Sequence, residues 1–257
     1  MAVLTALLAR VGIAHFQREA LLGSEIDVLN LRWIGRTFWL AFKGDAVSLW
    51  AWFRFEVLKT VRKQIPSIII TFFIGLMAIV AGYVWVASNS TKLLDQFRTG
   101  DLSSLLSSGI GVPIANVEIS FPMIWGHNLQ AIVVILLLGL FSFGVLGVFI
   151  YLLNMGIIGA VLALIWALGG SPLKISVYGI LPHGIFEIPA LILASAAILY
   201  IGIMLVTPRP QRTLGEILIE AIADWTKIGL GLVLPLLTIA AIIETWVTPM
   251  LLFSALK

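Results

Sequence analysis

Residues 129–168 run for forty positions without a charged side chain and are predominantly apolar. One helix of that length would measure about 60 Å at 1.5 Å per residue. The hydrocarbon core of a bilayer is only about 30 Å thick. The run must therefore fold back on itself, and it must do so in an apolar medium. Asn154-Met155-Gly156 is the expected turn, because Asn and Gly tolerate left-handed backbone angles. That gives spans of about residues 129–153 and 156–168, the second short enough to be a half-helix.

Composition generalises this reading. The chain is 60% hydrophobic and 11% charged, where a soluble domain is about 45–50% apolar and 25% charged. No polar stretch is long enough to bury a core of its own, so no separate soluble domain is expected. The fold class is an all-α polytopic transmembrane bundle of about five spans. Interfacial amphipathic helices are expected at the N-terminus and before the last span. Cysteine is absent, which excludes disulfides and thiolate metal sites. Residues 1–9 lack the leading basic residue and small-residue cleavage site of a signal peptide.

The remaining spans follow from the same length criterion. Residues 66–87 form the first, with Pro66 suited to a helix start. Residues 88–126 form a polar connection in which 110–121 reads as extended or re-entrant. Gly169-Gly170-Ser171-Pro172 is a loop, residues 183–206 are the next span, and Thr207-Pro208-Arg209-Pro210 ends it. Residues 214–227 read as an amphipathic surface helix with Glu216, Glu220 and Asp224 on one face. Residues 228–253 are the last span. With five spans and a cytoplasmic N-terminus, twelve of the sixteen Lys and Arg lie inside and four outside. Four crossings would give eleven against five. Either count puts the N-terminus in the cytoplasm.

Residues 1–65 carry nine of those basic residues, interleaved with aromatic rings. Trp33, Arg36, Trp39, Lys43, Trp50, Trp52 and Arg54 suit the headgroup layer, which is polar on one side and apolar on the other. This segment reads as cytoplasmic interfacial helices that anchor the protein to the lipid bilayer. A sharper reading makes it a docking platform for a cytoplasmic partner. Nucleic-acid binding is not expected, since membrane orientation accounts for the basic residues.

Within the bundle, residues 66–253, three ionisable groups stand out. His183 and Glu187 are four residues apart and share a helix face. Pro182 and Gly184 suggest a helix start there, at the outer side. Glu244 lies inside the last apolar run. An acid or base inserted in lipid costs about 2.5–3.5 kcal/mol, so each needs a compensating partner. On a five-span layout Glu187 and Glu244 both fall in the outer half. Asn128 sits at the start of a span and Asn154 at the opposite turn. The leading reading of the cluster is structural pairing inside the bundle. Contact with another subunit, a proton, ion or substrate path, and a metal site follow in that order. H-E-x-x-H spacing is absent, as are G-x-S-x-G, the Walker loop and the dinucleotide fingerprint. No catalysis, cofactor or metal is therefore expected.

Four features together resemble the stage II sporulation protein M family of integral membrane proteins. They are Asn128 opening a span, Leu153-Asn154-Met155-Gly156 with Gly159, the element Pro182-His183-Gly184-Ile185-Phe186-Glu187, and Ala240-Ala241-Ile242-Ile243-Glu244. The resemblance covers roughly residues 66–253. It implies a polytopic scaffold, since the sporulation member recruits peptidoglycan-remodelling enzymes during engulfment. Most relatives occur in organisms that do not sporulate, and some are expected to work beside transport or ATPase components. It also singles out Asn154, His183, Glu187 and Glu244 for mutation. The expected function is a non-enzymatic membrane subunit that scaffolds or anchors a larger envelope complex. The alternative is the membrane subunit of an ABC-type exporter served by a separate cytoplasmic ATPase. An intramembrane metal enzyme ranks third. Expected partners are the bilayer, other membrane or envelope proteins and, in the alternative, that ATPase.

Overall fold

The computed structural model describes residues 30–98, 120–207 and 212–256, and every regular element within them is helical. Most of the stretch expected to be extended or re-entrant lies outside the described residues. Helix α1 spans Leu31–Lys43. Asn30 caps it, its side chain accepting from the Trp33 amide at 3.0 Å, and Gly44 ends it at φ 56°. Helix α2 begins at Leu49–Ala51, passes through a π-helical turn at Trp52–Val57 and finishes as Leu58–Lys63. Five long helices follow: α3 Ile65–Arg98, α4 Phe121–Phe141, α5 Val145–Ala167, α6 Pro172–Val206 and α7 Leu214–Ala255. Each is long and apolar enough to cross a bilayer.

Apolar side chains gain little by leaving lipid for protein, so helices in a bilayer associate through close packing at small residues. The α3–α5 pair illustrates this. A Cβ on Gly82 would strike the Gly156 carbonyl, and one on Gly159 would strike the Ile79 carbonyl. The Tyr151 hydroxyl, fully buried, donates to the Thr71 carbonyl at 3.1 Å. These contacts set α3 and α5 parallel, as alternating crossings require. Helix α6 is the central element, packed against α3, α4, α5 and α7 and buried along most of its length. By contrast α3 turns Phe72, Phe73, Met77 and Val80 outward as a lipid-facing surface.

The bundle has two ends. The proximal end carries α1, α2, the α4–α5 turn and the start of α7. The distal end carries the starts of α4 and α6 and the ends of α5 and α7.

Five boundaries differ from the sequence reading. The first span does not stop at residue 87, because α3 runs on to Arg98. The fold-back lies at Ser142-Phe143-Gly144, not at Asn154-Met155-Gly156. Phe143 and Gly144 take positive φ angles of 52° and 91°, and the Gly144 amide donates to the Gly139 carbonyl at 2.7 Å. Ser142 Oγ donates to the Leu138 carbonyl and accepts from the Leu146 amide, bracing the turn from both sides. Asn154 is therefore mid-helix. Its amide donates to the Ile150 carbonyl at 2.9 Å, which removes the need for a turn. Asn128 is likewise not a helix start, because α4 begins at Phe121. His183 does not open a helix either. Helix α6 begins at Pro172 and runs through a π-helical turn at Ile175–Ile180 before reaching it. Last, residues 214–227 do not form a separate surface helix. They are the proximal part of α7, which continues through a π-helical turn at Gly229–Val233. Nothing in that stretch breaks the helix, and Ile217, Ile219, Ala221, Ala223 and Ile228 are buried against neighbours.

Candidate functional site

Two polar clusters occupy opposite ends of the bundle. At the distal end, Glu244 projects from a π-helical turn of α7, Ile243–Val247, toward His183 and Glu187 of α6. One ligating atom from each of the three lies within 4.8 Å of the other two, and all three side chains are half-buried. His183 Nε2 is 3.9 Å from a Glu187 carboxylate oxygen. On the other edge of the ring, His183 Nδ1 is 3.2 Å from the Thr248 hydroxyl. Thr248 follows Glu244 by four residues, so both reach the same helix face.

The depth of this cluster follows from counting. About twenty helical residues cross a 30 Å core. Measured from Ile228 on α7, that distance ends near Thr248. Measured from Val206, the end of α6, it ends near Glu187. On this count Glu187 lies at the distal boundary and Glu244 about one turn inside it.

The sequence reading missed what the start of α4 contributes. His127 of α4 is close enough to Glu244 to interact with it electrostatically. Trp125 Nε1 donates to the Thr238 hydroxyl at 3.1 Å, and Phe121 stacks on Trp246 at 6.0 Å, so the start of α4 is fastened to α7 beside the cluster. Nothing in the spacing of His127 signals this, because its neighbours belong to another span. Asn128, next in sequence, has a buried amide nitrogen with no hydrogen-bond partner among the described residues. Asn154 is bonded within its own helix and does not join the cluster.

At the proximal end the chemistry is ionic. Lys63 of α2 donates to Asp224 of α7 at 2.9 Å and lies 3.6 Å from Glu220. Lys227 reaches Asp224 at 3.2 Å and Glu56 of α2 at 3.4 Å. Arg212 pairs with Glu220. Burial works to lower the pKa of Lys63, but the hydrogen bond and charge of Asp224 outweigh it and raise the ammonium above its ordinary value. These pairs bind the segment before the first span to the root of the last. The Trp52 indole donates to the Phe42 carbonyl at 2.8 Å and so ties α2 to α1.

The aromatic and basic residues singled out from sequence lie on these two helices. Arg36, Trp39, Lys43, Trp50 and Arg54 are exposed, Trp52 is half-buried, and Trp33 leans over a cavity of about 540 Å³ between α1 and α7. Thr37, Ala41, Arg212, Glu216 and Glu220 complete much of its lining. Glu216, Glu220 and Asp224 do share one face there, as their spacing requires.

Five crossing helices, with polar groups held at both ends and apolar faces outward, define a multi-pass α-helical membrane protein. The family model described as Stage II sporulation protein M matches residues 68–249, and the chain belongs to that family. It is 33% identical over 189 residues to an uncharacterized protein of Methanocaldococcus jannaschii, covering 72% of this chain and 95% of that one. No solved structure matches the chain. The family match spans the start of α3 to the distal part of α7 and leaves α1 and α2 outside it.

Proposed function

We propose that the protein is a non-enzymatic membrane subunit that anchors a larger envelope complex, with α1 and α2 as a cytoplasmic platform. One observation carries the reading. An exposed aromatic and basic surface on α1 and α2 is fixed to the bundle by the Lys63, Asp224, Lys227 and Glu56 ion pairs. A lipid anchor alone needs only apolar area and positive charge. Fixing that surface to the last span through Asp224, Lys227 and Glu56, which are largely buried, gives it a defined orientation, which a partner requires and a lipid does not. The excess of Lys and Arg at this end supports a cytoplasmic assignment.

A second reading is the membrane subunit of an ABC-type exporter. It is favoured by the π-helical turn in α7 from which Glu244 meets Glu187 of α6. Interrupted helices with polar groups at depth are features of transport sites. Co-purification from native membranes in mild detergent, followed by mass spectrometry, separates the two. Stoichiometric envelope proteins without an ATPase support the anchor. An ATPase with a second permease-like chain supports the exporter. Recovery of the chain alone contradicts both.

A further inference from the structure

The distal cluster has a charge arrangement that its protein neighbours do not resolve. Glu187 and Glu244 place two carboxylates together at the distal end of the bundle. Among the described residues no Lys or Arg pairs with either one, and neither accepts a hydrogen bond. The imidazole of His183 faces the pair at 3.9 Å, beyond hydrogen-bond reach. Its orientation is held from behind. In the tautomer whose Nδ1–H donates to Thr248 Oγ1, 3.2 Å away, the Nε2 lone pair is directed toward the carboxylates. That is the arrangement of a ligating histidine whose far nitrogen is fixed by an outer hydrogen bond.

We infer that His183 Nε2 and one carboxylate oxygen each from Glu187 and Glu244 bind a divalent cation of the zinc class, which joins α6 to α7. The charges balance, since a dication neutralises two carboxylates that would otherwise be costly in an apolar setting. The donor set is one imidazole nitrogen and two carboxylate oxygens with no thiolate, which suits zinc and its first-row neighbours rather than soft copper(I). Calcium would need six to eight oxygens, more than the cluster presents. Bond lengths of about 2.0–2.2 Å in tetrahedral geometry put donor atoms roughly 3.3–3.6 Å apart. Reaching that from separations of up to 4.8 Å takes a contraction of at most about 1.2–1.5 Å, within side-chain reach. Three protein donors leave a fourth position for water. The inference concerns binding and is independent of the anchor proposed above. Sequence reading ranked a metal last because the ligands come from helices nearly sixty residues apart, not from one motif.

The test is metal content and affinity of the full chain in detergent. The protein is stripped with a chelator, dialysed against zinc sulfate and analysed for bound zinc, with its thermal midpoint measured before and after loading. The expected result is one zinc per chain and a raised midpoint. His183→Ala abolishes uptake, and the double variant Glu187→Gln with Glu244→Gln weakens it at least about tenfold. Thr248→Val acts through the ring of His183 and weakens affinity by about 10–100-fold while keeping the one-to-one stoichiometry. Glu216→Gln, at the far end of α7, leaves binding unchanged. If a cluster variant does not fold, uptake and stabilisation of the wild-type chain decide. Stripped wild-type protein that takes up no zinc overturns the inference, as does equal uptake by the double Gln variant.

Discussion

Single residues carry the polar chemistry of this molecule, and their roles follow from their partners. Tyr151 is fully buried at the α3–α5 contact and donates to the Thr71 carbonyl. Tyr151→Phe keeps the ring and removes the bond, so a stability loss of about 1 kcal/mol is expected, read as a lowered thermal midpoint in detergent. Glu187→Leu or Glu244→Leu is expected to reduce partner recovery more than Val80→Ala on the lipid-facing side of α3. Equal recovery in all three would show that the cluster is dispensable for assembly. The identity of the cluster residues was legible in the sequence because an acid in an apolar run stands out. Their meeting across α6 and α7 was a matter of counting depth from each end. His127 and Thr248 were not legible. Both are unremarkable in their own segments and matter only through what α7 and α4 bring beside them. Asn154 misled for the opposite reason. A lone Asn before Gly looks like a turn, yet a helix satisfies its amide through the carbonyl four residues back.

At the level of elements, close approach and ion pairing set the arrangement. Gly159→Val would drive a side chain into the backbone of α3 at Ile79 and Tyr83. An overpacking cost of about 1–3 kcal/mol is expected, measured as loss of the folded monomer on heating in detergent. At the proximal end, Lys227→Met leaves Glu56 without its partner and Asp224 with only Lys63. Removing one side of a buried pair costs about 3–5 kcal/mol, and the low end applies because Lys63 remains. The specific readout is protease sensitivity of the segment between α1 and α2, which rises if the platform is released and stays unchanged if the ion pairs are incidental. Lys63 is held above its ordinary pKa, so its contribution is complete below the unfolded lysine pKa and fades only as pH rises through the folded value. The contribution of Lys63 is accordingly insensitive to pH across the neutral range. The existence and apolar character of the long helices were legible from run length. Their ends were less so. Hydropathy does not register a brace such as Ser142, and α7 reads as two helices because its charged proximal half differs in composition while its backbone runs on.

For the whole molecule, the apolar runs require repeated crossing of a bilayer, and the packing of α3 parallel to α5 requires those crossings to alternate. The short turn between α4 and α5, the central position of α6 and the ion pairs at the root of α7 all belong to a five-crossing layout. In that layout the platform and the distal cluster face opposite sides of the membrane. The chain contains no cysteine, so single cysteines can be introduced without a background. Val47 between α1 and α2 is 95% exposed and Leu173 at the start of α6 is 73% exposed, which makes both free to react. The decisive measurement is labelling of Val47→Cys and Leu173→Cys in intact cells with a membrane-impermeant maleimide. Five crossings with the platform in the cytoplasm require that Leu173→Cys is labelled from outside and Val47→Cys only after lysis. Protection of both positions would mean four crossings, and labelling of Val47→Cys from outside would invert the molecule. Either result would contradict a cytoplasmic platform joined to an outward-facing cluster.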